Sequence, residues 1–83
     1  MSAARTKEKL LKAGELAKLT GVLVSTIRYY TKIGLLKSDA TTPGNYNLYV
    51  EYKALKRLGL IEQLKKKRLT LEEMLIKLQD RKN

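Results

Sequence analysis

The sequence predicts a mainly α-helical domain: a helix-turn-helix, a short β-hairpin, then two further helices. Three observations predict it. Glycines at 21 and 34 end two short amphipathic stretches in the first half. A polar, turn-rich run from Lys37 to Asn45 separates Leu35-Leu36 from Tyr46-Asn47-Leu48-Tyr49. Apolar residues then recur every three positions from Leu55 to Leu64, and a threonine–glutamate pair restarts a helix at Thr70. Together these make a winged helix-turn-helix extended by a helical pair.

Each element follows from its residues. Residues 1–9 are small, polar and basic, the composition of a flexible N-terminal arm. The domain proper runs over 10–80, and Leu10-Leu11 begin it as a short extended piece. Gly14 opens the first helix, with Glu15 in its first turn and Leu16, Ala17 and Leu19 facing inward. Gly21 closes it, because glycine takes the left-handed cap conformation without steric penalty. The second helix spans about Val24 to Ile33 and stops at Gly34. Its apolar side carries Leu23, Ile27 and Tyr30; Ser25, Arg28, Tyr29 and Lys32, at i, i+3, i+4 and i+7, line the opposite side.

Leu35-Leu36 and Tyr46 to Tyr49 read as the two strands of a wing over about 37–49, joined by the Pro43-Gly44-Asn45 turn. A two-stranded ribbon is marginal alone, so it must pack on the helices, with Tyr49 and Tyr52 as packing residues. From about Glu51 a third helix presents Leu55, Leu58, Ile61 and Leu64. Lys65-Lys66-Lys67-Arg68 interrupts it. Thr70 with Glu73 forms a capping box for a fourth helix, whose stripe is Leu71, Met74, Leu75 and Leu78. Arg81 and Lys82 complement its C-terminal end within the 81–83 tail.

Composition narrows the function. The 83 residues include 18 Lys+Arg against 8 Asp+Glu, a formal charge of +10. So positive a surface favours a polyanionic partner. Cysteine and histidine are both absent. That removes disulfides, cysteine zinc sites, and the commonest general base and metal ligand. Glu72-Glu73 is accounted for by neutralising a helix N-terminus. The composition points away from an enzyme and gives no cofactor or metal site. No apolar run approaches the roughly 20 residues of a membrane span, and no signal-peptide core precedes a cleavage site. A soluble, cytoplasmic, nucleoid-associated chain is expected.

The second helix carries the function. Arginine and lysine pair with phosphates or guanine edges, tyrosine and serine donate to phosphate oxygens, and nothing acidic opposes them on that side. Gly14-Glu15-Leu16-Ala17, Thr20-Gly21-Val22, Thr26-Ile27-Arg28-Tyr29-Tyr30, Gly34-Leu35-Leu36, Tyr46-Asn47-Leu48-Tyr49 and Leu71-Glu72-Glu73 occur in that order over residues 10 to 80. In this order and spacing the chain resembles the N-terminal DNA-binding domain of the MerR family.

The resemblance implies a sequence-specific transcriptional regulator. Its recognition helix, about 24–33, enters the major groove, and its wing follows the backbone. The candidate DNA-contacting residues are Lys18, Thr20, Ser25, Thr26, Arg28, Tyr29, Lys32, Asn45, Tyr46, Asn47, Lys56 and Arg57. Double-stranded DNA is the implied partner, with a homodimer on a palindromic site and RNA polymerase as further partners. Four residues depart from the family pattern. Leu23 stands where a capping serine is usual, Asn45 for a wing glycine, Asn47 for a wing arginine, and Arg68 for the glycine that closes the third helix. No coiled-coil dimerisation helix or effector domain follows Asn83, so either a fragment or a stand-alone domain is expected.

Two other functions fit the same residues. One is an architectural or excisionase-like factor that bends DNA. The other is a protein-interaction module using the helical pair from 51 to 79.

Overall fold

The computed structural model describes residues 9–79. The expectations for the N-terminal arm before Lys9, and for Arg81, Lys82 and the tail, fall outside them. In chain order the elements are β1 (Leu10–Lys12), α1 (Ala13–Thr20), α2 (Val24–Lys32), β2 (Ala40–Thr41), β3 (Asn47–Val50), α3 (Glu51–Lys66) and α4 (Leu71–Lys77). The winged helix-turn-helix and its helical pair are therefore present.

The sheet is larger than a hairpin and uses different residues. Its order is β1-β3-β2, antiparallel throughout, with Leu11 opposite Tyr49 and Ala40 opposite Leu48. Leu35 and Leu36, expected as the first wing strand, are not in it. Both are buried, and their N–H groups donate to the Tyr30 carbonyl at 2.8 and 3.1 Å, closing α2. The strand that opens the wing is Ala40–Thr41, short and exposed, with no apolar pattern to mark it. At the base of the wing, the Asp39 carboxylate accepts the Val50 N–H at 2.7 Å, where β3 turns into α3.

The core lies under the sheet and between α1, α2 and α3. Leu16, Ile27, Leu35, Leu36, Tyr49 and Ile61 are fully enclosed, and Met74 of α4 joins them. Three leucines expected inside are not. Leu19 is 53% exposed, because the eight-residue α1 buries Leu16 and turns its last residues outward. Leu23 lies ahead of α2 rather than within it and is 70% exposed. Leu55 is displaced by its neighbour: Ala54, with Leu58, Ile61 and Leu64, forms the buried stripe of α3.

Two helices end alike. After α2, the Leu35 N–H reaches the Tyr30 carbonyl and the Gly34 N–H reaches Thr31, with Gly34 at φ +87°. After α3, Leu69 reaches Leu64 and Arg68 reaches Lys65, with Arg68 at φ +63°. Both are Schellman closures, in which a left-handed residue lets two backbone N–H groups satisfy carbonyls of the last turn. The second closure thus holds an arginine in a conformation that glycine takes without penalty.

Candidate nucleic-acid interface

The interface begins at the α1 N-terminus. Lys12 leads into the helix, and its backbone N–H donates to Glu15 Oε1 at 2.8 Å. This is half of a capping box. A lysine side chain has no acceptor with which to make the other half. One oxygen of the Glu15 carboxylate thus closes the start of α1.

The turn between α1 and α2 is fixed by Gly21 at φ +80° and by Thr20. The Thr20 hydroxyl donates to the Leu16 carbonyl at 2.8 Å and accepts the Val22 N–H at 3.1 Å. A residue expected to touch DNA therefore holds the helix-turn-helix angle with its hydroxyl.

In α2 the expected division holds over the helix itself. Ile27 and Tyr30 are buried, whereas Ser25, Arg28, Tyr29 and Lys32 are exposed, Tyr29 by 47%. Its first turn contains no acidic residue. Thr31 lies between the two sides. Its hydroxyl donates to the Ile27 carbonyl at 2.8 Å, so with its one proton spent it accepts from Tyr49 Oη, also at 2.8 Å. Tyr49 is fully buried in β3, so this bond ties the wing to the recognition helix.

The wing tip has a sequence-specific geometry. The Asn45 N–H donates to the Thr42 carbonyl at 2.8 Å, and the Thr42 N–H to the Tyr46 carbonyl at 2.9 Å. This is a three-residue loop, Pro43-Gly44-Asn45. Proline suits its second corner, and Asn45 takes the left-handed position at φ +70°. Asparagine tolerates that conformation better than most side-chain-bearing residues, which suits it to this position. Tyr46 follows, 58% exposed, its ring lying against Gly44 and 5.5 Å under Lys12 Nζ in a cation–π contact.

These elements enclose an open concavity of about 790 Å³, lined by Lys12, Gly14, Glu15, Lys18, Arg28, Asn45, Tyr46 and Asn47 among others. Five of the expected contact residues meet there: Lys18, Arg28, Asn45, Tyr46 and Asn47. Ser25, Tyr29 and Lys32 continue along the exposed side of α2 outside its lining. Thr26 is half-buried and lines a separate hollow of about 250 Å³ with Leu23, Glu62 and Lys65.

Lys56 and Arg57 are not brought to the concavity. They line another depression, of about 430 Å³, with Lys37, Asp39, Tyr52, Lys53 and Leu60. Arg57 Nε donates to the Leu35 carbonyl at 2.9 Å, anchoring the segment after α2 to α3. The residue that sequence reasoning missed is Lys12. Only the pairing of β1 with β3, which sets Lys12 opposite Leu48, brings it beside the wing. Among the described residues no group of three His, Cys, Asp or Glu could hold a metal, and no helix is long and apolar enough to cross a membrane.

The sequence pattern described as "MerR family regulatory protein" matches residues 12–49, from the last residue of β1 into β3, which include every residue that lines the concavity. The chain belongs to the MerR family. It is 48% identical over 60 residues to the HTH-type transcriptional regulator CueR of Bacillus subtilis, covering 72% of this chain and 41% of that one. It is 39% identical over 64 residues to the HTH-type transcriptional regulator ZntR homolog of Haemophilus influenzae, covering 77% and 47%. A crystal structure of a MerR-family transcriptional regulator from Bacillus cereus superposes with a TM-score of 0.70 at 32% identity, over 89% of this chain and 56% of that one. The chain thus spans less than half the length of these two curated relatives. What it shares with the MerR proteins is the winged helix-turn-helix described above.

Proposed function

We propose that this MerR-family domain is the DNA-reading part of a sequence-specific transcriptional regulator, with α2 in the major groove and the wing along the flanking backbone. The observation that carries this reading is the concavity between α1, α2 and the wing. It gathers Lys12, Lys18 and Arg28 with the exposed ring of Tyr46, and its one acid, Glu15, is held by backbone. Cations fixed at such a surface release counterions from a duplex, and the exposed side chains along α2 are of the kinds that bond base edges and phosphates. The regulators among its relatives support the same reading.

One recognition helix covers one half-site, so the working unit is two copies on a palindrome, acting on transcription together with RNA polymerase in the cytoplasm. The test is selection of bound sequences from random duplex DNA, with stoichiometry measured on the selected duplex. Arg28→Ala weakens binding to that duplex by about 1–3 kcal/mol with an unchanged circular dichroism spectrum. An alanine variant that binds as tightly as the wild type overturns the proposal.

A further inference from the structure

We infer that Lys12 and Tyr46 hold a single backbone phosphate of the duplex between them. The inference rests on the DNA-reading function proposed above and gives it a subsite built from two segments far apart in the chain.

Sheet register brings the two side chains together. In β1, Leu11 is buried, so Lys12, the next residue along the strand, faces the other way and is exposed. Lys12 lies opposite Leu48 of β3. Tyr46 comes two residues before Leu48, at the diagonal position that long side chains reach across an antiparallel pair. Lys12 Nζ accordingly stands 5.5 Å from the centre of the Tyr46 ring. Gly44 bounds the same ring: a Cβ there would lie 3.3 Å from Tyr46 Cε2. A cation and bare backbone thus restrain the ring before any ligand arrives.

The groups left over suit an anion. A cation–π contact uses the charge of the ammonium but none of its three N–H donors. Among the described residues, neither Lys12 Nζ nor Tyr46 Oη is taken up by an ion pair or a hydrogen bond. Both side chains line the concavity, where Lys18 and Arg28 add two more cations against the one carboxylate of Glu15. A phosphate answers both groups at once: its charge meets the ammonium, and a second oxygen accepts the phenol O–H, each bond being charge-assisted. A wing that follows the backbone meets phosphates rather than base edges, so this pair positions the domain on the duplex.

The test replaces each phosphate of the selected duplex in turn by an uncharged methylphosphonate. The wild-type chain is expected to lose about tenfold in affinity or more at one position beside the wing. Lys12→Met and Tyr46→Phe should each weaken binding to the unmodified duplex by about tenfold, and each should lose its sensitivity at that one position only. Lys12→Met should also lower the slope of log affinity against log salt by about one, and Lys12→Arg should restore it. Tyr46→Phe changes no charge and should leave the slope as it is. The double variant should lose much less than the product of the single losses, because both bonds end on one phosphate. A merely structural role for Lys12 would move neither the salt slope nor the sensitivity at a single phosphate. The inference is overturned if the two variants lose sensitivity at different phosphates, if their losses multiply, or if Lys12→Met keeps the wild-type slope. In each of those cases the DNA-reading function stands. If the wild type selects no sequence at all, that function falls and this inference with it.

Discussion

Two short helices, α2 and α4, begin in opposite ways. At α4, Thr70 Oγ1 accepts the Glu73 N–H at 3.1 Å while Glu73 Oε1 accepts the Thr70 N–H at 2.8 Å, and Glu72 adds a second carboxylate to the first turn. At α2 a leucine occupies the cap, no side chain bonds the first turn, and no acid lies in it. The reciprocal bonds at α4 satisfy two free N–H groups, and its acids oppose the positive end of the helix dipole. A helix that is to approach phosphates has reason to lack the acids, since each carboxylate there would repel the duplex. The start of α4 is thus closed by its own side chains, and the start of α2 is not.

Breaking α2 at its anchor is the severest check of this contrast. Ile27→Ala, at the fully buried centre of α2, should destabilise the domain by about 2–5 kcal/mol in denaturant unfolding. If the loss is under 1 kcal/mol, the α2 start is not the weak point of an otherwise well-anchored helix. Next in size is the bond that joins α2 to the wing. Thr31→Val removes the acceptor of the buried Tyr49 hydroxyl and should cost about 1–3 kcal/mol, whereas Thr31→Val with Tyr49→Phe should recover much of it. Equal losses in the single and double variants would mean that the bond contributes nothing.

The caps themselves sharpen the comparison through opposite signs. Thr70→Ala should lower stability by about 1 kcal/mol, and Leu23→Ser should raise it by a similar amount. Thermal melts of the two variants side by side decide it: both shifting downward would refute the idea that α2 forgoes a cap. The smallest effect concerns the two Schellman closures. Arg68→Gly should stabilise by up to about 1 kcal/mol by relieving a left-handed side chain, while Gly34→Ala should destabilise by at least as much.

Much of this fold was legible because its punctuation is local. Gly21 and Gly34 mark helix ends through their own backbone freedom, and Thr70 with Glu73 marks a start through a bond three residues long. The sheet was not legible for the opposite reason. Its first strand has three residues and pairs with β3 across the whole helix-turn-helix, and its second has only two, without an apolar pattern. Leu35-Leu36 looked like a strand because they are apolar, yet they are buried by the closure of α2.

The site divides along the same line. Helical period placed Ser25, Arg28, Tyr29 and Lys32 on one exposed side, because a face is a property of spacing. Charge carries no such direction. Lys56 and Arg57 looked equivalent to Lys18, but they line a different depression, and Lys12 reached the wing through a strand that sequence reasoning did not pair.

The hydroxyl pair of Thr31 and Tyr49 bears on where elastic strain would go. With the wing strand bonded directly to the recognition helix, the two cannot easily change their separation or tilt. A duplex gripped by both would then act as the softer spring, and any mismatch between protein and groove would be taken up as bend or twist in the DNA. That deformation is least costly at flexible pyrimidine–purine steps. One buried hydrogen bond can in this way weight the choice of sequence at base pairs that no side chain touches.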